Sequence, residues 1–215
     1  MAVPRLVGAV NATTGEPAIE RLRSGETLGE PAIERARKAF THAGIVLPRD
    51  YRQSRDLALI ELEDARESAI GSDRRNAAID ASIKAAHRSL ASNPAQPYTW
   101  LRLSHAEMMR GGIGAPAAFA FAMSLETGPQ VVDLMRPRVT QGLILWPVLD
   151  ERQRARVLAQ IRGLARYNAR MLAETVLNRP WLPQVQAALK DEPELMSAFL
   201  AVYLKRRTPG YRPPL

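Results

Sequence analysis

Two prolines set 35 residues apart, Pro94 and Pro129, constrain this chain more than any other feature. They close the segment over residues 76–129, which reads as helix, tight turn, helix, tight turn, helix, with small and large apolar residues spaced to interlock. Proline lacks the backbone N–H and biases the residue before it away from the helical region, so Asn93-Pro94 and Gly128-Pro129 each end a helix. A spacing near 34 residues with a proline-marked exit is what stacked helical hairpins produce. The pattern points to a binding scaffold.

Composition agrees with a helical chain. Alanine and leucine supply most of the apolar content, aromatic residues make up 6%, and clean two-residue alternation never extends beyond a few positions. Strands favour β-branched and aromatic residues, so the expected fold class is all-α. At 215 residues and 46% apolar content the chain is long enough to bury a core. The absence of cysteine excludes disulfides, thiolate metal sites and cysteine nucleophiles. It fits a cytoplasmic or a periplasmic location equally. The net charge is +8, and 26 of the 30 basic residues are arginine, an arginine and alanine bias suggesting a bacterial origin. A basic surface suits a solvated helix face, an acidic protein, anionic lipid or nucleic acid.

Along the chain, residues 1–28 read as an irregular N-terminal segment, with Gly15, Gly25 and Gly29 as breakers. The opening MAVPRLVGAV holds too short an apolar run for a signal-peptide core, though it suits the stub of a hydrophobic anchor lying upstream. That version would place the protein on the periplasmic side of an inner membrane, touching it only through the anchor. The heptapeptide GEPAIER occurs at Gly15–Arg21 and again at Gly29–Arg35. Each copy can begin a helix, with proline in the first turn and glutamates beside it. A small duplication accounts for the identity.

A single all-α domain is expected over residues 29–204, followed by a flexible basic tail over 205–215. Its first long helix is expected over about residues 50–70. Leu59, Leu62, Arg66 and Ile70 with Ala58 and Ala69 give it a usable stripe, and Glu61, Glu63, Asp64 and Glu67 form an acidic face expected to be solvated. Asp73 is the expected cap of the next helix, whose Ala77, Ile83, Ala86 and Leu90 point inward. Pro137 predicts two short helices or one kinked helix. Asp150 with Gln153 predicts a capping box, followed by a buried side of Val157, Ile161, Leu164 and Leu172. Two further helices follow, from about Trp181 through Leu189 and over residues 193–204.

In register, the central block resembles the tetratricopeptide repeat. Trp100, Leu103 and Ser104 fit its first helix, and Ala117, Phe121, Ser124 and Pro129 fit its second if the GGIG turn holds one extra residue. Ser82, Ala86, Ser89 and Pro94 match the second helix of an earlier, degraded repeat. Glu107 and Ser104 depart from the tyrosine and glycine usual at their positions. The resemblance implies antiparallel hairpins stacked as a short solenoid with a helical C-terminal cap. It also implies a peptide-binding groove lined by first helices, here by Tyr98, Arg102, His105 and Met109, whose aromatic, cationic and flexible apolar groups suit a peptide.

Catalytic, cofactor and metal signatures are missing from the sequence. His42, His87 and His105 lack ligand spacing, and neither a phosphate-binding loop nor a nucleophile elbow occurs. Glu61 and Asp64 show no sequence sign of the burial that tunes an acid–base pair. The expected function is a non-catalytic protein–protein interaction scaffold or adaptor in a bacterial assembly, with another protein or peptide as partner and no cofactor. The alternative is nucleic-acid binding through Arg152, Arg156, Arg162, Arg166 and Arg170 with the basic tail, since residues 136–170 hold eight arginines against two acids.

Overall fold

The computed structural model describes residues 3–47 and 49–207, with side chains described from Thr13 onward. The described residues form ten α-helices and no strand, so the all-α expectation holds. They fall into two compact units, Met1–Gly128 and Pro129–Leu215, where the sequence suggested one domain over residues 29–204. The first unit contains α1 (Val3–Arg23), α2 (Glu30–Val46), α3 (Tyr51–Glu67), α4 (Asp73–Ser92), α5 (Pro97–Gly111) and α6 (Ala115–Thr127). The second contains α7 (Val132–Leu145), a 3-10 turn at Trp146–Val148, α8 (Glu151–Val176), α9 (Leu182–Leu189) and α10 (Pro193–Arg207). Among the described residues no helix is long and apolar enough to cross a membrane.

Local chemistry sets most boundaries. Asp50 accepts from the Arg52 amide at 3.0 Å and starts α3. Ser72, not Asp73, caps α4, accepting from the Arg75 amide at 3.2 Å, and Asp73 becomes the first helical residue. Gly112, at φ +77°, ends α5 in a conformation a side chain disfavours. The Asp150–Gln153 box is present in both directions, at 2.7 and 3.0 Å. α7 keeps Pro137 within one continuous helix. α8 departs from helical geometry at Asn168 (φ −163°, ψ 94°), whose Oδ1 accepts from the Met171 amide and restarts the helix. The segment expected to be irregular is helical over Val3–Arg23, with Pro17 inside it. α10 runs to Arg207, three residues into the expected tail; residues 208–215 lie outside the described ones.

Helices pack against their sequence neighbours. In the first unit the chain of contacts runs from α1 through α6, and α3 also touches α1 and α5. The central α3 is therefore surrounded. Leu57, Ala58, Ile60, Leu62 and Ala65 are buried, and so are Asp56, Glu61, Glu63 and Asp64. Only Glu67 of the expected acidic face is exposed, while Arg66, Ala69 and Ile70 of the expected apolar stripe are exposed too. Periodicity misses this because a helix with neighbours on most sides has no single inward face. On α4, Ile83, Ala86 and Leu90 are buried as expected, but Ala77 is exposed.

Glu61 and Asp64 are held by arginines from the flanking helices, whereas Asp56 and Glu63 pair with Arg55 and Arg66 of α3 itself. Arg37 of α2 donates from Nε and Nη2 to the two oxygens of Glu61 at 2.8 and 2.9 Å, and from Nη2 to Asp64 at 2.5 Å. Arg74 of α4 donates to Asp64 Oδ1 at 3.0 and 2.7 Å. Glu34 on Arg37 and Glu30 on Arg74 complete the network. Glu61 raises the Arg37 pKa through this hydrogen bond, against the opposing effect of burial.

In the second unit α8 touches α7, α9 and α10. Val157, Ile161, Leu164 and Leu172 are buried along it as expected. Phe199 stacks on Tyr203 in α10 at 5.4 Å, and Arg138 is fully buried in α7.

The two GEPAIER copies take different roles. The second begins a helix as expected, with Gly29 at the N-cap of α2 and Pro31 in its first turn. The first lies inside α1, where Gly15 faces the Phe40 ring. A Cβ there would sit 2.6 Å from Cζ, whereas one on Gly29 would meet nothing closer than 3.9 Å. Alanine normally favours a helix interior over glycine by about 1 kcal/mol. Phe40 is only 2% exposed and has nowhere to retreat, so overpacking wins at Gly15. Gly15→Ala is expected to destabilise the protein by about 1–3 kcal/mol in denaturant unfolding. Gly29→Ala should cost less than about 1 kcal/mol.

Candidate protein-interaction face

The neighbouring helices α5 and α6 pack together and are tied by small polar side chains. Ser104 Oγ donates to the Ala117 carbonyl and Ser124 Oγ to the Pro97 carbonyl, each at 2.9 Å. Ser82 Oγ joins α4 to the Ala58 carbonyl of α3 at 2.8 Å, and the Ser89 and Thr99 hydroxyls lie 3.5 Å apart between α4 and α5. All five side chains are buried. A hydroxyl allows close helix approach while satisfying its own hydrogen bond, so these positions stay small. Trp100 anchors the entry to α5, its Nε1 donating to the Pro94 carbonyl at 2.7 Å, and meets Phe119 of α6 edge-on at 5.9 Å.

This framework fixes the direction of the stripe Tyr98, Arg102, His105 and Met109. All four are half-buried. Met109 packs on the core of the first unit beside Leu59 and Trp100. Arg102 turns onto α3, where Nη1 donates to the Arg55 carbonyl at 2.9 Å and lies 3.9 Å from Asp56 Oδ1. Asp56 is itself held by the Arg55 fork, Nε and Nη2 each at 2.8 Å, and the Arg55 guanidinium lies 6.0 Å from the Tyr51 ring centre. Burial pushes the Arg102 pKa down to about 10; Asp56 opposes the shift, and the charges of Arg55 and Arg23 add to it. Sequence reasoning missed Arg23, Arg55 and Asp56. An Arg-Asp pair in a helix's first turns was the one visible signal, and it resembles any exposed pair.

Three of the five arginines expected to form a basic surface on α8 are engaged within the second unit. Arg166 forks onto Glu192 at 3.1 and 2.7 Å, Arg170 donates to Glu174 at 3.1 Å, and Arg162 reaches the Ala188 carbonyl at 3.4 Å. Arg206 shares Glu174 at 2.8 Å. Arg152 is exposed and Arg156 half-buried on the preceding turns. Among the described residues no group of three or more histidine, aspartate or glutamate side chains is arranged to hold a metal. Glu61 and Asp64 are buried, contrary to expectation, but spend their oxygens on Arg37 and Arg74.

No family model matches the chain, and no protein of characterised function does.

Burial pushes the His105 pKa down first, and Arg66 and Arg75 lower it further. The unfolded chain, with an ordinary histidine near 6.5, then binds more protons than the folded one between the two pKa values. Stability should fall as pH drops below about 6.5 and stay flat above it. Comparing the pH dependence of urea midpoints for wild type and His105→Gln checks this: the variant should lose that part of the slope.

Proposed function

We propose that this protein is a non-catalytic interaction scaffold whose first unit binds another protein across the face formed by α3 and α5. The observation carrying this reading is the packing order of α1 through α6. Successive pairs α1–α2, α3–α4 and α5–α6 suit three stacked hairpins, and the contacts of α3 with α1 and α5 align the first helix of each pair. In that arrangement, similar to a short tetratricopeptide solenoid, first helices line the recognition surface. The half-buried stripe Tyr98, Arg102, His105 and Met109 then forms one wall and the α3 residues around Arg55 the other. Such a scaffold belongs in a bacterial assembly, at the envelope or in the cytoplasm.

Site-specific photo-crosslinking in the native host tests this. A crosslinking residue at Tyr98 or at exposed Arg52 of α3 should give the same discrete adduct, and one at exposed Asp80 of α4 should not. Adducts at all three positions alike, or none at Tyr98 and Arg52, would remove the reading.

A second reading rests on charge partition. Pro129–Leu215 contains fourteen basic and seven acidic residues, and so carries +7 of the net +8. That asymmetry favours nucleic-acid binding by α8, where Arg152 and Arg156 lie one turn apart before the break at Asn168. Affinity for an oligonucleotide would then fall steeply with salt. Absence of any gel shift at about 50 mM salt, with single or double strands, would dispose of it.

A further inference from the structure

Arg102 is a poorly matched charge where α5 meets α3. Its side chain is only 16% exposed. It makes one hydrogen bond, from Nη1 to a main-chain carbonyl, and its nearest carboxylate, Asp56, lies 3.9 Å away. Asp56 is already committed to Arg55 through both oxygens. Two guanidiniums therefore share one carboxylate, and Arg23 of α1 adds a third positive charge acting on Arg102. A desolvated guanidinium normally finds a bidentate carboxylate, because charge-assisted hydrogen bonds offset the loss of water. Here that place is taken by a neutral carbonyl and a distant, shared acid.

We infer that the Arg55–Arg102 edge is an anion seat that takes a carboxylate from an acidic segment of the partner protein. The inference rests on the α3–α5 face being the recognition surface. In the free protein Asp56 serves as the internal stand-in for that carboxylate. A partner's glutamate or aspartate would occupy the Arg102 donors not used by the Arg55 carbonyl, while Tyr51 and Tyr98 supply aromatic surface at the same end of the two helices. Carboxylate fits better than a basic or purely apolar partner, since either of those would leave the buried guanidinium unmatched.

The test uses the full chain and a rhodamine-labelled hexaglutamate peptide, with hexalysine as control, in fluorescence anisotropy. Wild type should bind hexaglutamate and not hexalysine. Arg102→Gln should weaken binding about tenfold, the worth of one charge-assisted hydrogen-bonded contact. Lys84→Gln, at an exposed position of α4, should leave it unchanged. Asp56→Asn is the discriminating variant. Removing the stand-in should tighten hexaglutamate binding severalfold in a protein whose circular dichroism matches wild type. Failure of wild type to bind overturns the seat. So does equal loss in Lys84→Gln, which would mark diffuse attraction, or unchanged or weaker binding by an Asp56→Asn protein whose circular dichroism matches wild type. Oligothymidylate of equal charge displacing the peptide more effectively than unlabelled hexaglutamate would also overturn the carboxylate assignment. A discrete adduct from Tyr98 alongside absent hexaglutamate binding would leave the scaffold reading standing while removing the seat.

Discussion

The first unit is organised around carboxylates placed inside it. Glu61 and Asp64 sit on the central helix α3, and burying them unpaired would cost several kcal/mol each. Arg37 and Arg74 offset that cost from opposite sides, one projecting from α2 and one from α4. A forked guanidinium accepts only a narrow range of carboxylate positions, so the pairing sets how the three helices align along their lengths. Replacing such a network with well-packed apolar groups can be neutral for stability, and its contribution here is to specify one arrangement.

Neutral hydrogen bonds carry the same alignment onward to α5 and α6. Ser82, Ser104 and Ser124 each donate to a main-chain carbonyl of the facing helix, and the carbonyl can be reached only if the helices come close. The bulky residues fill the spaces left between these close approaches. Phe40 lies against Gly15, and Trp100 and Met109 each pack against the common core. One consequence is that α5 cannot turn its polar stripe away from α3. Arg102 meets α3 because the serines on the other side of the hairpin fix the rotation of the helix.

The two units differ in how they use arginine. In the first, charges nearly balance, with sixteen basic and fifteen acidic residues, and several arginines are consumed in holding helices together. In the second, basic residues outnumber acidic ones two to one. Glu174 serves both Arg170 and Arg206, leaving an excess of positive charge on α8 and α10. Nearly balanced charge in the first unit and excess positive charge in the second are thus separate properties of one chain.

Local signals in the sequence determined a great deal. The all-helical class, the turn after α5, the Asp150–Gln153 cap and the buried side of α8 follow from residue chemistry and apolar spacing within a few turns, which any stretch of chain carries with it. The stripe on α5 was legible for the same reason, as a periodicity of one helix. Tertiary structure alone decided what depends on a distant partner. GEPAIER shows this most directly, because identical residues form a helix start at Gly29 and a close-packed helix interior at Gly15, the difference being Phe40. The acids of α3 were legible as a charged face but not as a buried one, since the arginines that make burial tolerable lie 24 and 10 residues away on other helices. Arg102 could be placed on a face from its spacing, yet its shortage of carboxylates exists only where α3 and α5 meet. Spacing along one helix records which side chains share a face; only packing records which charges that face must satisfy.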